Sequence, residues 1–199
     1  MVRVLCTTGL VSPHQDKMTY ELRLLSVSSP EFDELERLVA KTCPKECIIS
    51  IEEVVNPELE KRYQDRRTKL GCQGNGDEVR VFHGSRDFKA VHSILSDGFR
   101  SELNTTSAFG RGTYFATSYG YSKSYASLEK TADTKYTVML ICDITCTKPV
   151  RGRVNQTLYP REGDCWVDYV ARPTIYSVPH NDQCIPRFIV RFYSSMHGV

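Results

Sequence analysis

FGRGTYFATSYGYSKSYA, Phe109 to Ala126, is the stretch whose reading decides the fold. Gly110-Arg111-Gly112 brackets a turn, Thr113-Tyr114-Phe115 has the β-branched and aromatic character of a short strand, and a run rich in tyrosine and serine follows. Rings and hydroxyls at this density can stack on a planar ring and hydrogen-bond its substituents. Upstream, Val79 to His83 alternates as a strand should and runs into Gly84-Ser85. A strand ending in His-Gly-Ser presents an imidazole and a hydroxyl beside a backbone that a ligand can approach closely. That combination suits a carboxamide and a ribose. A third segment, PTIYSVPHNDQCIPRFIVRF from Pro173 to Phe192, completes the set.

Around these segments the chain alternates helix and strand signals. Ser29-Pro30 followed by Phe32, Leu35, Leu38 and Val39 gives a cap, a first-turn proline and an apolar stripe, predicting a helix that ends near Cys43-Pro44. Ile48, Ile49, Ile51, Val54 and Val55 form a β-prone run, and Asn56-Pro57 starts a second, highly charged helix with Leu59, Tyr63 and Leu70. Gly71 to Asp77 is a polar break. Phe88, Val91, Ile94 and Leu95 mark a helix stopping at Asp97-Gly98, and Arg100 to Ala108 reads as a loop between the chemistry-bearing elements. Later strands are expected at Tyr136 to Ile144, Tyr169 to Val170, Ile175 to Val178 and Phe188 to Tyr193, with Pro149 to Asp164 a long irregular insertion. Met1 to Met18 reads as an edge strand or an irregular terminus. Many strands with few helices point to the α+β class.

The chain has 199 residues, enough for one substantial core. Its 26 basic and 24 acidic residues give a net charge of +2, which favours neither a polyanion-binding role nor an acidic tail. Eight cysteines invite a disulfide framework, but a chain of this size needs no staples and no signal-peptide pattern opens it. Cys43/Cys47 and Cys142/Cys146 have no second close Cys or His pair beside them, which argues against zinc. Reduced thiols in a cytoplasmic or nuclear protein are the expectation. No apolar run reaches the ~18 residues of a membrane span.

The three segments, in this order and at this separation, resemble the catalytic domain of the poly(ADP-ribose) polymerase family. The resemblance covers residues 18–195, leaving an N-terminal flank at 1–17 and a tail at 196–199. It implies the diphtheria-toxin-like ADP-ribosyltransferase fold, in which two bent, antiparallel-rich β-sheets form an NAD cleft flanked by helices. NAD is then the co-substrate, no metal is needed, and protein acceptors, including the enzyme itself, are the implied partners. Membrane is not among them.

The resemblance also implies roles. His83 bonds a ribose hydroxyl of NAD, the Gly84 backbone holds the carboxamide, and Ser85 touches the adenosine ribose. Tyr114, within a Gly-x-Gly-x-Tyr-Phe-Ala string that includes Phe115 and Ala116, helps shape the nicotinamide pocket. Ser122 matches a serine that bonds the carboxamide, and Tyr125 a tyrosine that stacks on the nicotinamide ring. Tyr121 is a rival to Tyr125, and Tyr119 and Tyr121 fit packing roles equally well.

Polymerising members carry a glutamate eight residues before a glutamine that leads into the final strand. Counting back eight from Gln183 lands on Ile175, which can neither accept a hydrogen bond nor act as a base. The trio His83, Tyr114 and Ile175 therefore resembles the mono-ADP-ribosylating subgroup, with the acceptor supplying its own base, for example a carboxylate. Asp164 and Asp168 are candidates to substitute, against a default of solvated loop acids. Two alternatives stand beside this reading: an inactive NAD- or ADP-ribose-binding module, and a transferase acting on nucleic acid. The second is disfavoured because the one basic cluster, Lys61, Arg62, Arg66 and Arg67, lies on a charged helix upstream and reads as solvated.

Overall fold

A computed structural model describes residues 19–42, 48–72, 74, 76–105, 108–130, 135–156, 159–160 and 163–193 of the chain. A short strand, β1 (Glu21–Leu24), precedes α1 (Pro30–Ala40). Ser29 starts this helix: its hydroxyl accepts the Phe32 amide, while Pro30 needs no amide partner in the first turn. The helix ends at Ala40, short of the expected Cys43-Pro44, and those two residues lie outside the described ones, as does the expected terminal strand in Met1 to Met18.

β2 (Ile48–Val55) leads into α2 (Pro57–Lys69), then β3 (Glu78–His83) into α3 (Phe88–Asp97). Asn56 caps α2 by accepting from Leu59 N, and its amide donates to Leu95 O and Ser96 O at the end of α3, so one side chain fastens two helices. β4 (Thr113–Ala116), α4 (Tyr119–Lys123), β5 (Ser127–Lys130), β6 (Lys135–Thr145), β7 (Pro149–Arg151), β8 (Cys165–Val167), β9 (Ile175–Val178) and β10 (Cys184–Tyr193) follow.

The strands hydrogen-bond in the order β1-β2-β10-β6-β3-β4-β9-β8-β7, with β5 also on β6. Every pairing is antiparallel except β7 with β8. The two expected sheets are present as halves of one ladder. β3 meets β4 through a single residue pair, Phe82 with Ala116, whereas β3 pairs with β6 along its whole length. A one-pair junction cannot hold two strands side by side, so a cleft opens between the halves just past Phe82, where His83 stands.

β6 and β10 are buried on both faces, as strands between two layers must be. Leu140, Cys142 and Ile144 face a core with Val91, Leu95, Phe99 and Phe115, while Met139 and Ile141 face another with Phe32, Leu35, Tyr119 and Phe192. Each such side chain contributes about 1.5 to 3 kcal/mol of burial.

Three expectations need correction. Tyr169-Val170 is not a strand: the Asp168 carboxylate accepts the amides of Tyr169, Thr174 and Ile175, which curls this segment into a turn, and the strand lies just before it as β8. Cys146 and Cys165 are joined by a disulfide, S–S 2.06 Å, in place of the expected free thiols. Most of the α2 basic cluster is tied into the fold, with only Lys61 left on an exposed pair with Asp65. Arg62 bonds Asp182 at 2.8 Å, Arg66 bonds the Gln183 side chain at 3.1 Å, and buried Arg67 reaches Glu78, Thr145 and Gly74 O. These contacts dock α2 onto the loop before β10.

Candidate active site

His83 ends β3, one residue beyond the pair that joins the half-sheets. Its Nδ1 lies 2.8 Å from the carbonyl oxygen of Tyr114. A carbonyl only accepts, so Nδ1 carries the proton and the neutral ring keeps its lone pair on Nε2. Phe99 meets the imidazole edge-on, centroids 5.1 Å apart, and Phe115 packs against it at 5.4 Å. Burial pushes the pKa below its ordinary value, an effect the Tyr114 bond partly opposes. At neutral pH His83 is therefore an uncharged acceptor with a fixed orientation.

Gly84 follows because nothing larger fits. A Cβ there would lie 2.3 Å from Ser122 O and 2.9 Å from Ala126 N, both backbone atoms that cannot swing away. That closeness seats α4 against the end of β3. Ser122 is buried and donates its hydroxyl to Phe82 O at 3.2 Å, leaving oxygen lone pairs to accept from a ligand amide.

Tyr114 works differently from its neighbours. Its hydroxyl accepts from Phe109 N at 2.9 Å and donates to Gly110 O at 2.6 Å, so the phenol braces the turn that precedes its own strand. Burial raises its pKa and keeps the proton on. Gly110 has φ 109 and lies against Trp166, where a Cβ would come within 2.5 Å of the indole. The Gly-Arg-Gly spacing is thus set by packing. The Tyr114 ring, not its hydroxyl, is left to shape the cavity.

The β4/β9 register sets Ala116 opposite Ile175, and Ala116 is also the residue paired with Phe82. One lateral row therefore runs from the base of His83 through Ala116 to Ile175. Neither nearby acid is free to replace a missing carboxylate. Asp168 is held by Tyr169, Thr174 and Ile175, which lower its pKa against the opposing pull of desolvation, and Asp164 accepts from Thr147 N, Thr147 Oγ1 and Lys148 N. These are bracing groups and not solvated loop acids.

Tyr125 follows α4 and is 44% exposed, and the Tyr121 ring centroid lies 5.7 Å from its own. The Arg86 guanidinium sits 5.5 Å from the Tyr125 centroid, so this ring already attracts a cation. Tyr119 is fully buried between Phe82 and Phe192 and belongs to the core, whereas Tyr121 faces the cavity.

His83, Gly84, Ser85, Tyr114, Phe115, Ala116, Ser122, Tyr125 and Ile175 all border one cavity of about 680 Å³. Its size falls within the range of small-molecule sites. Phe115 is almost wholly buried and acts mainly as the support under His83. Phe99, Arg86, Arg100 and Asn104 also line the cavity; Arg100 and Asn104 belong to the Arg100 to Ala108 loop expected between the chemistry-bearing elements, whereas Phe99 and Arg86 had not been singled out. Arg86 could have been suspected from its place directly after His-Gly-Ser; Phe99 sits between α3 and that loop with no sequence pattern of its own. Among the described residues one group of potential metal ligands occurs, Cys146, Asp164 and Cys165, but its sulfurs are bonded to each other and the Asp164 oxygens are taken by Thr147 and Lys148. No described helix is long and apolar enough to cross a membrane.

Comparison with known proteins places these residues in context. A model of the poly(ADP-ribose) polymerase catalytic domain matches residues 29–157. The chain is similar to the protein mono-ADP-ribosyltransferase PARP12 of Homo sapiens, at 27% identity over 201 residues, covering 95% of this chain and 27% of that protein. PARP12 of Mus musculus is 29% identical over 185 residues, covering 86% of this chain and 25% of that protein. The human mono-ADP-ribosyltransferase PARP14 is 26% identical over 181 residues, covering 83% of this chain and 10% of that protein. The chain thus spans 27% or less of the length of these three relatives.

Proposed function

The chain belongs to the poly(ADP-ribose) polymerase catalytic domain family, and from that premise we propose that it is a mono-ADP-ribosyltransferase that moves ADP-ribose from NAD to protein side chains and releases nicotinamide. The observation that carries the restriction to single units is Ile175, which stands across from Ala116 on the cavity wall while the Asp168 carboxylate behind it is held by the Ile175 amide. The relatives, named for mono-ADP-ribosyl transfer, support the same reading.

In this reading His83 Nε2 accepts a ribose hydroxyl, and its fixed tautomer makes that acceptor ready before NAD arrives. The Gly84 peptide, just past the last paired residue of β3, and the Ser122 oxygen hold the carboxamide. Tyr125 and the Tyr114 ring enclose the nicotinamide. Bond cleavage leaves the electron pair on the departing ring nitrogen, which neutralises the pyridinium and places the positive charge on the ribose. Stabilising that charge asks for positioning and electrostatics more than for acid or base groups. Attack by an acceptor carboxylate would need no proton removed, which suits a site where Asp164 and Asp168 are engaged elsewhere.

Incubation with adenine-labelled NAD tests this: label should become protein-bound and stay so after free ADP-ribose is washed away. Ile175 also suits a module that binds NAD without turning it over, and bound NAD with no nicotinamide released would select that reading.

A further inference from the structure

Arg86 lies in the connection between β3 and α3, directly after His83-Gly84-Ser85. Its guanidinium sits over the Tyr125 ring, 5.5 Å from the centroid, and both residues line the cavity. The backbone on either side sets this pairing. A Cβ on Gly84 would come within 2.9 Å of Ala126 N and 3.0 Å of Tyr125 C, so the chain just before Arg86 is pressed against the chain at Tyr125. The neighbouring acid is used locally: the Asp87 carboxylate caps α3 by accepting from Lys89 N, and its carbonyl accepts from the Ser85 hydroxyl. Arg86 and Tyr125 are both exposed, so the guanidinium can leave the ring by rotating its own side chain while the backbone stays in place.

Its position creates a competition. Tyr125 is also the ring assigned to stack on nicotinamide, and Tyr121 crowds it with centroids 5.7 Å apart, which leaves little room for a second planar group while the guanidinium stays. A cation over an exposed aromatic ring is held only weakly. Free nicotinamide is neutral, so it has to displace the guanidinium and offers it nothing in return. NAD displaces it too, but brings a negatively charged pyrophosphate. Charge-assisted hydrogen bonds from a planar guanidinium to phosphate oxygens are stronger than the ring contact given up.

We propose that Arg86 is a specificity-determining residue that exchanges the Tyr125 ring for the pyrophosphate of an incoming dinucleotide, an assignment that rests on the NAD reading above. The exchange favours intact NAD over the nicotinamide it yields. In the free protein the guanidinium guards the stacking surface, and only a ligand with an anion to receive it clears that surface at little cost.

Calorimetric titration of wild type and Arg86→Gln with NAD and with nicotinamide tests this, because the two ligands should respond with opposite signs. The substitution should weaken NAD binding about tenfold and tighten nicotinamide binding about threefold. In a Tyr125→Ala background it should no longer tighten nicotinamide, since the contested ring is gone. Nicotinamide affinity that is unchanged or reduced by Arg86→Gln, as expected if guanidinium and nicotinamide use opposite faces of the ring, overturns the proposal. So does an NAD affinity that the substitution leaves alone. Wild-type protein that binds neither ligand overturns it together with the NAD reading. Opposite shifts without any ADP-ribose transfer uphold the role of Arg86 and remove the transferase reading instead.

Discussion

His83 donates its Nδ1 proton to the carbonyl oxygen of Tyr114 across 2.8 Å, so the two motif residues on β3 and β4 hold each other where the half-sheets part. The bond fixes which nitrogen faces the cavity as an acceptor. Without it, the free rotation and tautomerism of the imidazole would have to be frozen each time a substrate bound.

The pH dependence follows from this neutral ring. The folded pKa of His83 lies below its ordinary value of 6.5. NAD affinity should therefore stay constant from about pH 8 to pH 6.5 and fall only below that, as protonation removes the Nε2 lone pair. Stability follows the same sign. Below pH 6.5 the unfolded chain takes up a proton that the folded one resists, so this contribution is lost as pH falls toward the folded value. Calorimetric titrations and urea midpoints across the range check both, with His83→Gln expected to flatten the acid limb. An NAD affinity that improves on acidification would contradict the tautomer assignment.

Tyr125 contributes an exposed ring that already draws the Arg86 guanidinium. Tyr125→Ala should weaken NAD binding by about 1 to 3 kcal/mol of lost stacking, and Tyr125→Phe should keep most of the affinity. Equal dissociation constants for wild type and the alanine variant would remove this ring from the site.

Ile175→Glu puts a carboxylate where the family resemblance implies the glutamate of polymerising members, but its backbone is already bonded to Asp168 and the neighbouring turn remains unchanged. Single ADP-ribose units should still be the product on denaturing gels. Long polymers from this one substitution would show that Ile175 alone limits chain length.

Gln183 is completely buried, and its amide donates to Thr145 O and Asp164 O while its oxygen accepts from Arg66. Gln183→Leu should cost about 2 to 4 kcal/mol of stability, because two carbonyls lose their donor inside the fold. Chemical denaturation measures this; a loss under 0.5 kcal/mol would mean that water or a neighbour replaces the amide.

The parts legible in the sequence are those whose reason is local. Ser29 and Asn56 cap helices within three residues of themselves, and His83, Gly84, Tyr114, Ser122 and Tyr125 belong to segments whose spacing survives as geometry. The β4/β9 register then brings Ile175 opposite Ala116. Distant partners left no such trace. β1, β5, β7 and β8 are three or four residues long and, unlike the equally short β4 and β9, carry no motif to declare them. Arg62 finds Asp182 across 120 positions, which is why its cluster read as solvated. The Asp168 turn was hidden too, because a carboxylate that collects three amides looks in sequence like any exposed loop acid.

Intact-mass spectrometry after incubation with NAD, beside a His83→Ala control, tests the central claim most directly. The account predicts single ADP-ribose additions with matching nicotinamide release, reduced at least about a hundredfold in the control, as expected for loss of a preorganised hydrogen bond. Unmodified protein that still binds NAD and releases no nicotinamide would contradict it.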